Sequence, residues 1–509
     1  MSVEERAAPE EHLGKRAASG VLWLAAQKWV VRASGFATLV VLTRQVSPRD
    51  FGVVAAAMTV IPMVYLLSDL GFSTYLLQSD EIDQRSLSTA FWTSVAAGVL
   101  LSGGLLAIAP LLAEAFRIPD LAQVLRALVL SVVPTVLAGV PLALLRRSMA
   151  FRAVAVQALI AAVLAQAAAV VVALMGGGVW ALVSQLIVSQ WVIALLAWRK
   201  ARWLPSFWMS PRLFRQMAVF GLRVSSVDLV ATARMWAESW IVTVTLGPSS
   251  LGFLNISQRL VLVAQELTTA SMVPVSTVVF AKVRESADRL RVTYLKALGV
   301  AYAVVSPLMI VIVVTAPVLI PLLFGPQWRA SVQPAQALAV AGVITLGAML
   351  DHGLFYGLGR PGGWLRYSVV VDAGTVATTA IAVRWGLTGV AVGFVIVAIL
   401  ATVARWLLVG RLLGVSARSV ARPFLTVLVP TVVTIAVGAF VLDALSGIDA
   451  PIGRLAVTTC VTLLVNLVLL RLTAARILRD ALGILPVPER YVGAVGKALL
   501  LAPRAVVET

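Results

Sequence analysis

Lys28 and Arg32 stand in an otherwise apolar stretch that runs from Gly20 to Gly52, flanked by Gln27 and Thr38. Two hundred residues on, Leu222 to Gly252 is a similar stretch and carries Asp228, Arg234 and Glu238. Asp69, Asn255, Arg259, Glu266, Asp351, Asp372 and Arg405 are also set in apolar runs. A charge at bilayer centre costs at least ~2.5–3.5 kcal/mol on insertion scales, so each of these must pair or line water. A fixed cation in such a place can hold an anion, and a carboxylate there is tunable in its proton affinity. Arg234 and Glu238, one helical turn apart, are expected to form an ion pair. Arg223 and Arg405 lie within reach of the cytoplasmic ends of their runs and are read as snorkelling. His352 beside Asp351 offers a proton-coupling pair, but a singly satisfied histidine is the preferred reading.

These side chains must be held by membrane helices. The chain has 509 residues, 60% hydrophobic and 13% charged, with a mean hydropathy of +0.97. Soluble domains are nearer half apolar and a quarter charged, so this is an integral membrane protein. A bilayer core needs about 20 apolar residues per helix, and such runs recur from end to end. They lack the dyad alternation of a barrel strand. The runs fall near 19–44, 52–77, 88–113, 121–145, 153–174 and 179–198. A second set falls near 217–245, 251–281, 297–324, 332–358, 367–383 and 388–410, followed by 423–442 and 455–472. About fourteen transmembrane helices are expected. At 100° per residue, Gln27, Lys28, Arg32, Ser34, Gly35 and Thr38 fill one half of the first helix, with Trp29, Ala33, Phe36, Ala37 and Val40 on the other. The seventh helix divides in the same way, with Ser225, Asp228, Thr232 and Ser239 opposite Leu229, Ala233, Trp236 and Trp240. Both polar halves are expected to face a solvated cavity. Proline sits within or at the ends of several spans, at Pro62, Pro110, Pro134, Pro141, Pro274, Pro307, Pro317, Pro321 and Pro430, and permits bends there.

The net charge of +18 would point to nucleic acid in a soluble protein. Here its distribution reports topology. With the N-terminus inside, about 28 Lys and Arg fall on the cytoplasmic side and about 6 on the other. Anionic lipid headgroups are the second use of that charge. The aromatic and basic segment Trp198–Trp208 reads as an interfacial anchor, not a nucleic-acid site. The polar N-terminal segment has no signal-peptide pattern. One cysteine, Cys460, excludes a disulfide framework and a Cys-based metal site.

The two stretches belong to a longer duplication. Pro48 and Gly52 are answered by Pro248 and Gly252, Ala109-Pro110 and Phe116 by Ala316-Pro317 and Phe324, and Gly176–Val179 by Gly386–Val390. Six helices repeat as a block, and an even number makes the two blocks parallel. The expected organisation is a cytoplasmic tail (1–18), a first lobe of spans 1–6 (19–200), a cytoplasmic linker (201–216), a second lobe of spans 7–12 (217–412), two added helices (413–472) and a basic cytoplasmic tail (473–509). No phosphate-binding GxxxxGK[ST] loop, HExxH or paired-cysteine spacing is present, and the outer loops are too short for a glycosyltransferase domain. An enzyme is not expected, and neither is a cofactor or a metal.

Four segments carry a family resemblance: Thr43-Arg44 with Pro48 and Phe51-Gly52, LSDLGFSTYLLQSDEIDQRSLSTAFW (Leu67–Trp92), FAKVRESADRLR (Phe280–Arg291) and IPLLFGPQW (Ile320–Trp328). On these the chain resembles the polysaccharide transporter branch of the multidrug/oligosaccharidyl-lipid/polysaccharide exporter superfamily, near its colanic acid and Wzx-type flippases, from Gly20 to Leu472. The resemblance implies flipping or export of polyprenyl-pyrophosphate-linked glycans across the bacterial inner membrane by alternating access, driven by an ion gradient. A polymerase and glycosyltransferases are the implied protein partners, with the bilayer and the lipid-linked glycan. The motifs assign no ligand residue. From the helical wheel, the cavity residues expected to meet substrate are Gln27, Lys28, Arg32, Thr38, Arg234, Asn255 and Arg259. The carboxylates expected to bind the coupling H⁺ or Na⁺ are Asp69, Asp228, Glu238, Glu266 and Asp351. A lipid II flippase and a drug/cation antiporter of the same superfamily are alternatives. A non-transporting scaffold for a glycan polymerase is the alternative from another class; it predicts dispensable cavity charges.

Overall fold

The computed structural model describes residues 27–79, 82–269, 279–283 and 285–482, without the side chains of 222–228, 267–269, 361 and 481–482. The described residues form helices and their connections, with no strand among them. Ten of the described helical stretches are long and apolar enough to cross a membrane. The chain divides into two compact units, Met1–Gly252 and Phe253–Thr509.

The first unit holds α1 (27–45), α2 (Pro48–Asp69), α3 (Phe72–Gln78), α4 (Gln84–Ala115), α5 (Leu121–Arg147), α6 (Phe151–Leu174), α7 (Val179–Ala201) and α8 (Pro211–Leu246). It also takes in the first turn of α9 (Pro248–Thr269). Helix starts follow capping chemistry. Ser47 accepts the Asp50 amide at 3.1 Å ahead of Pro48, and Asp83 accepts the Ser86 amide at 2.8 Å ahead of α4. The span expected near 52–77 is broken: Leu70 and Gly71 both adopt left-handed backbone (φ 45° and 72°) and separate α2 from α3. The helical run continues past the break only because α3 restarts one residue later.

The connection expected over 201–216 is shorter, 202–210, because α8 already starts at Pro211, and it is not a loose tether. Trp203 Nε1 donates to Gln84 Oε1 (2.8 Å), Gln84 Nε2 to the Leu204 carbonyl (2.7 Å) and Trp92 Nε1 to the Ser206 carbonyl (2.9 Å). The Ser206 amide donates to Ser88 Oγ, and the Ser210 amide to Thr89 Oγ1. These bonds lay the connection along the start of α4. Phe91 meets Trp92, Trp198 and Trp203 edge-on around the same apolar cluster.

The second unit continues α9 and holds α10 (279–283), α11 (Ala287–Phe324), α12 (Val332–Thr345), α13 (Gly347–Gly357), α14 (Pro361–Ala382), α15 (Gly386–Leu413), α16 (Ala417–Ala444), α17 (Pro451–Thr473) and α18 (Ala475–Leu482). The 38-residue α11 remains one helix with Pro307, Pro317 and Pro321 inside it. The span expected near 332–358 is interrupted at Leu346, between α12 and α13. Pro274 lies outside the described residues. Cys460 is an exposed free thiol on α17.

Candidate functional site

In the first unit the polar half of α1 is graded along its length. Gln27 and Arg32 are half-buried and Lys28 is exposed. Thr38 is buried, and its hydroxyl donates to Gln166 Oε1 on α6 across 3.4 Å. Gly35 faces the same glutamine amide. Trp29, Ala33 and Ala37 are exposed on the other half. The deeper part of the expected polar face is thus turned into the unit, and the cationic part lies toward the start of the helix. A lysine and an arginine one turn apart offer a point charge and a planar fork, a pairing suited to phosphate oxygens.

On α8, Arg234 Nη1 lies 2.6 Å from Glu238 Oε1, so the expected one-turn ion pair forms, with Glu238 almost fully buried. Asp228 lies in the segment whose side chains are outside the described ones. Asp69 ends α2, half-buried, and accepts the Ser73 hydroxyl at 2.6 Å and the Ser73 amide at 3.3 Å on the same oxygen. Those bonds bridge the α2–α3 break: the last carboxylate of one helix holds the first turn of the next.

In the second unit, Arg259 Nε donates to Asn255 Oδ1 (3.0 Å), one turn apart on α9, with the arginine exposed. Glu266 is half-buried on the same helix. Asp351 and Arg405 depart from the expectation for them. Both are wholly buried, and Arg405 Nη1 lies 2.8 Å from Asp351 Oδ2. Tyr294 donates its hydroxyl to the other carboxylate oxygen, and Arg405 Nη2 donates to the Tyr302 hydroxyl at 3.2 Å. Arg405 is therefore no snorkelling side chain. It reaches inward to the α12–α13 break, where a Cβ at Gly347 would lie 2.0 Å from its Nη1. The carbonyl of Ile344, freed by the break, accepts the Thr402 hydroxyl at 3.1 Å. A gap in one helix is filled by polar groups from its neighbours, as hydrocarbon surroundings require. His352 points elsewhere: it is exposed and stacks on Tyr356 at 4.2 Å between ring centres.

Sequence reasoning placed both Asp351 and Arg405 at membrane depth but did not join them. The available signal was one carboxylate and one guanidinium, each isolated in an apolar helix of the same block. An apolar cavity of about 270 Å³ lies beside this cluster, lined by residues such as Ile310, Val343, Ile399, Phe424 and Thr431. It offers nothing to a sugar or a phosphate. No group of three or more metal-ligating side chains occurs among the described residues.

The resemblance-carrying motifs have architectural work. Ser88, Thr89 and Trp92 hold the 202–210 connection, Ser286 caps α11, and Trp328 is fully buried with an edge-on contact to Phe253 at 5.9 Å.

Comparison with known proteins gives a family described as "polysaccharide biosynthesis protein", matching residues 41–333. The succinoglycan biosynthesis transport protein ExoT of Rhizobium meliloti is 26% identical over 61% of this chain; the match spans 62% of that relative's length, under two thirds. The lipopolysaccharide biosynthesis protein WzxC of Escherichia coli is 24% identical over 84% of this chain and 88% of its own. Among solved structures, the lipid II flippase MurJ in an inward closed conformation has the same fold, with a TM-score of 0.73 at 13% identity, covering 88% of this chain and 98% of that one.

Proposed function

The chain belongs to the polysaccharide biosynthesis protein family, in the polysaccharide transporter branch of the multidrug/oligosaccharidyl-lipid/polysaccharide exporter superfamily, and we propose that it moves lipid-linked glycan repeat units across the bacterial inner membrane. It is a multi-pass membrane protein, and its family and structural neighbours are transporters and flippases, not enzymes.

The observation that carries the proposal is the placing of cations on α1. Lys28 and Arg32 sit one turn apart on α1, and neither is sealed in the core as Arg405 is. A polyprenyl-pyrophosphate headgroup is a double anion that must cross a slab of low dielectric constant. Cations fixed on a helix replace part of its hydration as it passes. Gln27 adds an amide that suits sugar hydroxyls. In this reading the chain has about fourteen spans with both termini cytoplasmic, in two parallel six-helix lobes (19–200 and 217–412) that alternate access. An H⁺ or Na⁺ gradient supplies the driving force. Asp69 is the carboxylate best suited to the coupling ion: Glu238 is tied to Arg234 and Asp351 to Arg405, whereas Asp69 is held by a neutral serine. The glycosyltransferases and polymerase that build and use such a substrate are the partners this reading implies.

The test is export of the host's lipid-linked glycan in cells relying on this chain, with Lys28→Ala and Arg32→Ala combined. Export should fall at least tenfold, about 1.4 kcal/mol or more of lost substrate stabilisation, at unchanged membrane abundance. Asp69→Asn, assayed across pH and Na⁺ concentration, should flatten the ion dependence. Normal export by the double variant would leave a scaffold for a polymerase as the better reading.

A further inference from the structure

The proline–glycine spacing shared by the two repeat stretches has no part in the charge chemistry above. In the structure it is a contact. Pro48 and Pro248 each open a helix, α2 and α9, and Gly52 and Gly252 stand one turn in. A Cβ at Gly52 would lie 1.8 Å from the Pro248 carbonyl oxygen, and one at Gly252 would lie 2.1 Å from the Pro48 carbonyl oxygen. The contact is reciprocal: each glycine of the repeat receives the helix-opening proline of the other copy. Carbonyl oxygens in a first helical turn cannot move aside as a flexible side chain can. Only glycine fits at either place.

The opposite end of α2 repeats the device with different residues. A Cβ at Gly221 of α8 would lie 1.6 Å from the Leu70 carbonyl oxygen, and one at Gly71 would lie 2.6 Å from the Gly221 Cα. Gly71 also needs its positive φ of 72°. So α2 meets backbone, unpadded by side chains, at both of its ends. Gly52 is its only glycine, and Pro62 lies between the two contacts, where the missing amide permits a bend. Small residues commonly let membrane helices approach. Ordinary close packing, however, places them along a shared face, not in reciprocal pairs at the two ends of one helix.

We propose that these four glycines are positioning residues for closure of the transport path: the Gly52–Gly252 contact shuts its outer end and the Gly71–Gly221 contact its cytoplasmic end. Backbone against backbone leaves no gap for water, and beside the inner contact Phe72 meets Phe214 and Tyr75 meets Phe220 edge-on, at 6.2 and 5.5 Å between ring centres, so opening there also parts two ring pairs. The bend at Pro62 lets one end open while the other stays shut. This rests on the transport reading and its orientation, and the experiment separates the two.

In a Cys460→Ser background, which has no other cysteine, a reporter thiol is introduced by Val53→Cys beside the outer contact or Ser68→Cys beside the inner one. Both positions are fully buried. A membrane-impermeant maleimide is applied from outside to spheroplasts and from the cytoplasmic side to inverted vesicles. Overpacking by one methyl should disfavour the closed contact enough for roughly tenfold more opening. Gly52→Ala or Gly252→Ala should therefore raise labelling at position 53 from outside about tenfold and leave position 68 unchanged from inside. Gly221→Ala should do the reverse. Unchanged labelling, or an equal rise at both positions, overturns the proposal. Should the alanine variants not reach the membrane, the all-glycine protein decides. A gate leaves the thiol at position 53 slowly reactive from outside, and a thiol that never labels marks a static contact. The labelling needs no glycan, so side-specific gating with no glycan export would count against the transported substrate and not against the gate.

Discussion

Two internal ion pairs among the described residues differ in what they join. Arg234 and Glu238 are four residues apart on α8, so their contact ties one turn of a helix to the next. Asp351 and Arg405 are 54 residues apart, on α13 and α15, and their contact ties two helices together at the point where one is broken. The first pair retains 29% side-chain exposure at its arginine, whereas both partners of the second are at 0%. A local pair inside one helix adds little that the helix lacks. A sealed pair between helices leaves a bare charge in the core when either partner is removed.

The largest effect should come from opening the sealed pair. Asp351→Ala strands Arg405 and is expected to cost about 3–5 kcal/mol, seen as a large drop in the thermal unfolding temperature of detergent-purified protein. Replacing both partners by apolar residues, Asp351→Leu with Arg405→Met, should recover much of that loss, because neither charge then needs compensation. A single variant as stable as the parent would show the pair to be incidental. For the local pair the expected loss is smaller: Arg234→Met should cost about 1 kcal/mol or less in the same measurement. A loss as large as that of Asp351→Ala would erase the distinction between the two pairs. Smallest is the Asp83 cap at the exposed start of α4, where Asp83→Ala should cost about 0.5 kcal/mol at neutral pH. The Ser86 hydroxyl and amide hold the Asp83 carboxyl below its ordinary value. The cap therefore stabilises above the carboxylate's ordinary range and fades as pH falls through the lowered value. The parent and Asp83→Ala should converge in strong acid, and a pH-independent gap between them would remove the capping explanation.

Legibility in the sequence followed the range of each interaction. The Arg234–Glu238 pair was readable because helical spacing alone brings positions i and i+4 together. The helix starts carry local signals too, Ser47-Pro48, Asp83 and Ser210-Pro211, but the apolar runs alone put those starts later, near 52, 88 and 217. Arg405 was misread as snorkelling because hydropathy places a residue along a helix but gives no account of which neighbour it faces. The breaks at Leu70 and Leu346 were missed because the apolar run continues through both, and hydropathy averaged over a span passes over an interruption of one or two residues, left-handed at Leu70 and Gly71 and right-handed at Leu346. Thr38 was expected on the cavity-facing side of α1 to meet substrate, yet it is buried and its hydroxyl donates to Gln166. That side is itself divided between a face packed on Gln166 and a face carrying Lys28 and Arg32, and the wheel could not draw that line.

By itself the sequence determined that this is a helical membrane protein, that a proline–glycine spacing recurs two hundred residues apart, and that charges are set within apolar helices. Those are consequences of composition and of the 3.6-residue period, both properties of the chain before it packs. Packing decided which charges are sealed in the core, and where the repeated proline–glycine spacing makes contact. In the sequence Gly52 and Gly252 are only a matched pair two hundred residues apart. Their meaning is the backbone of the other copy lying within van der Waals reach, and contact between distant segments is set by three-dimensional packing that no local pattern encodes.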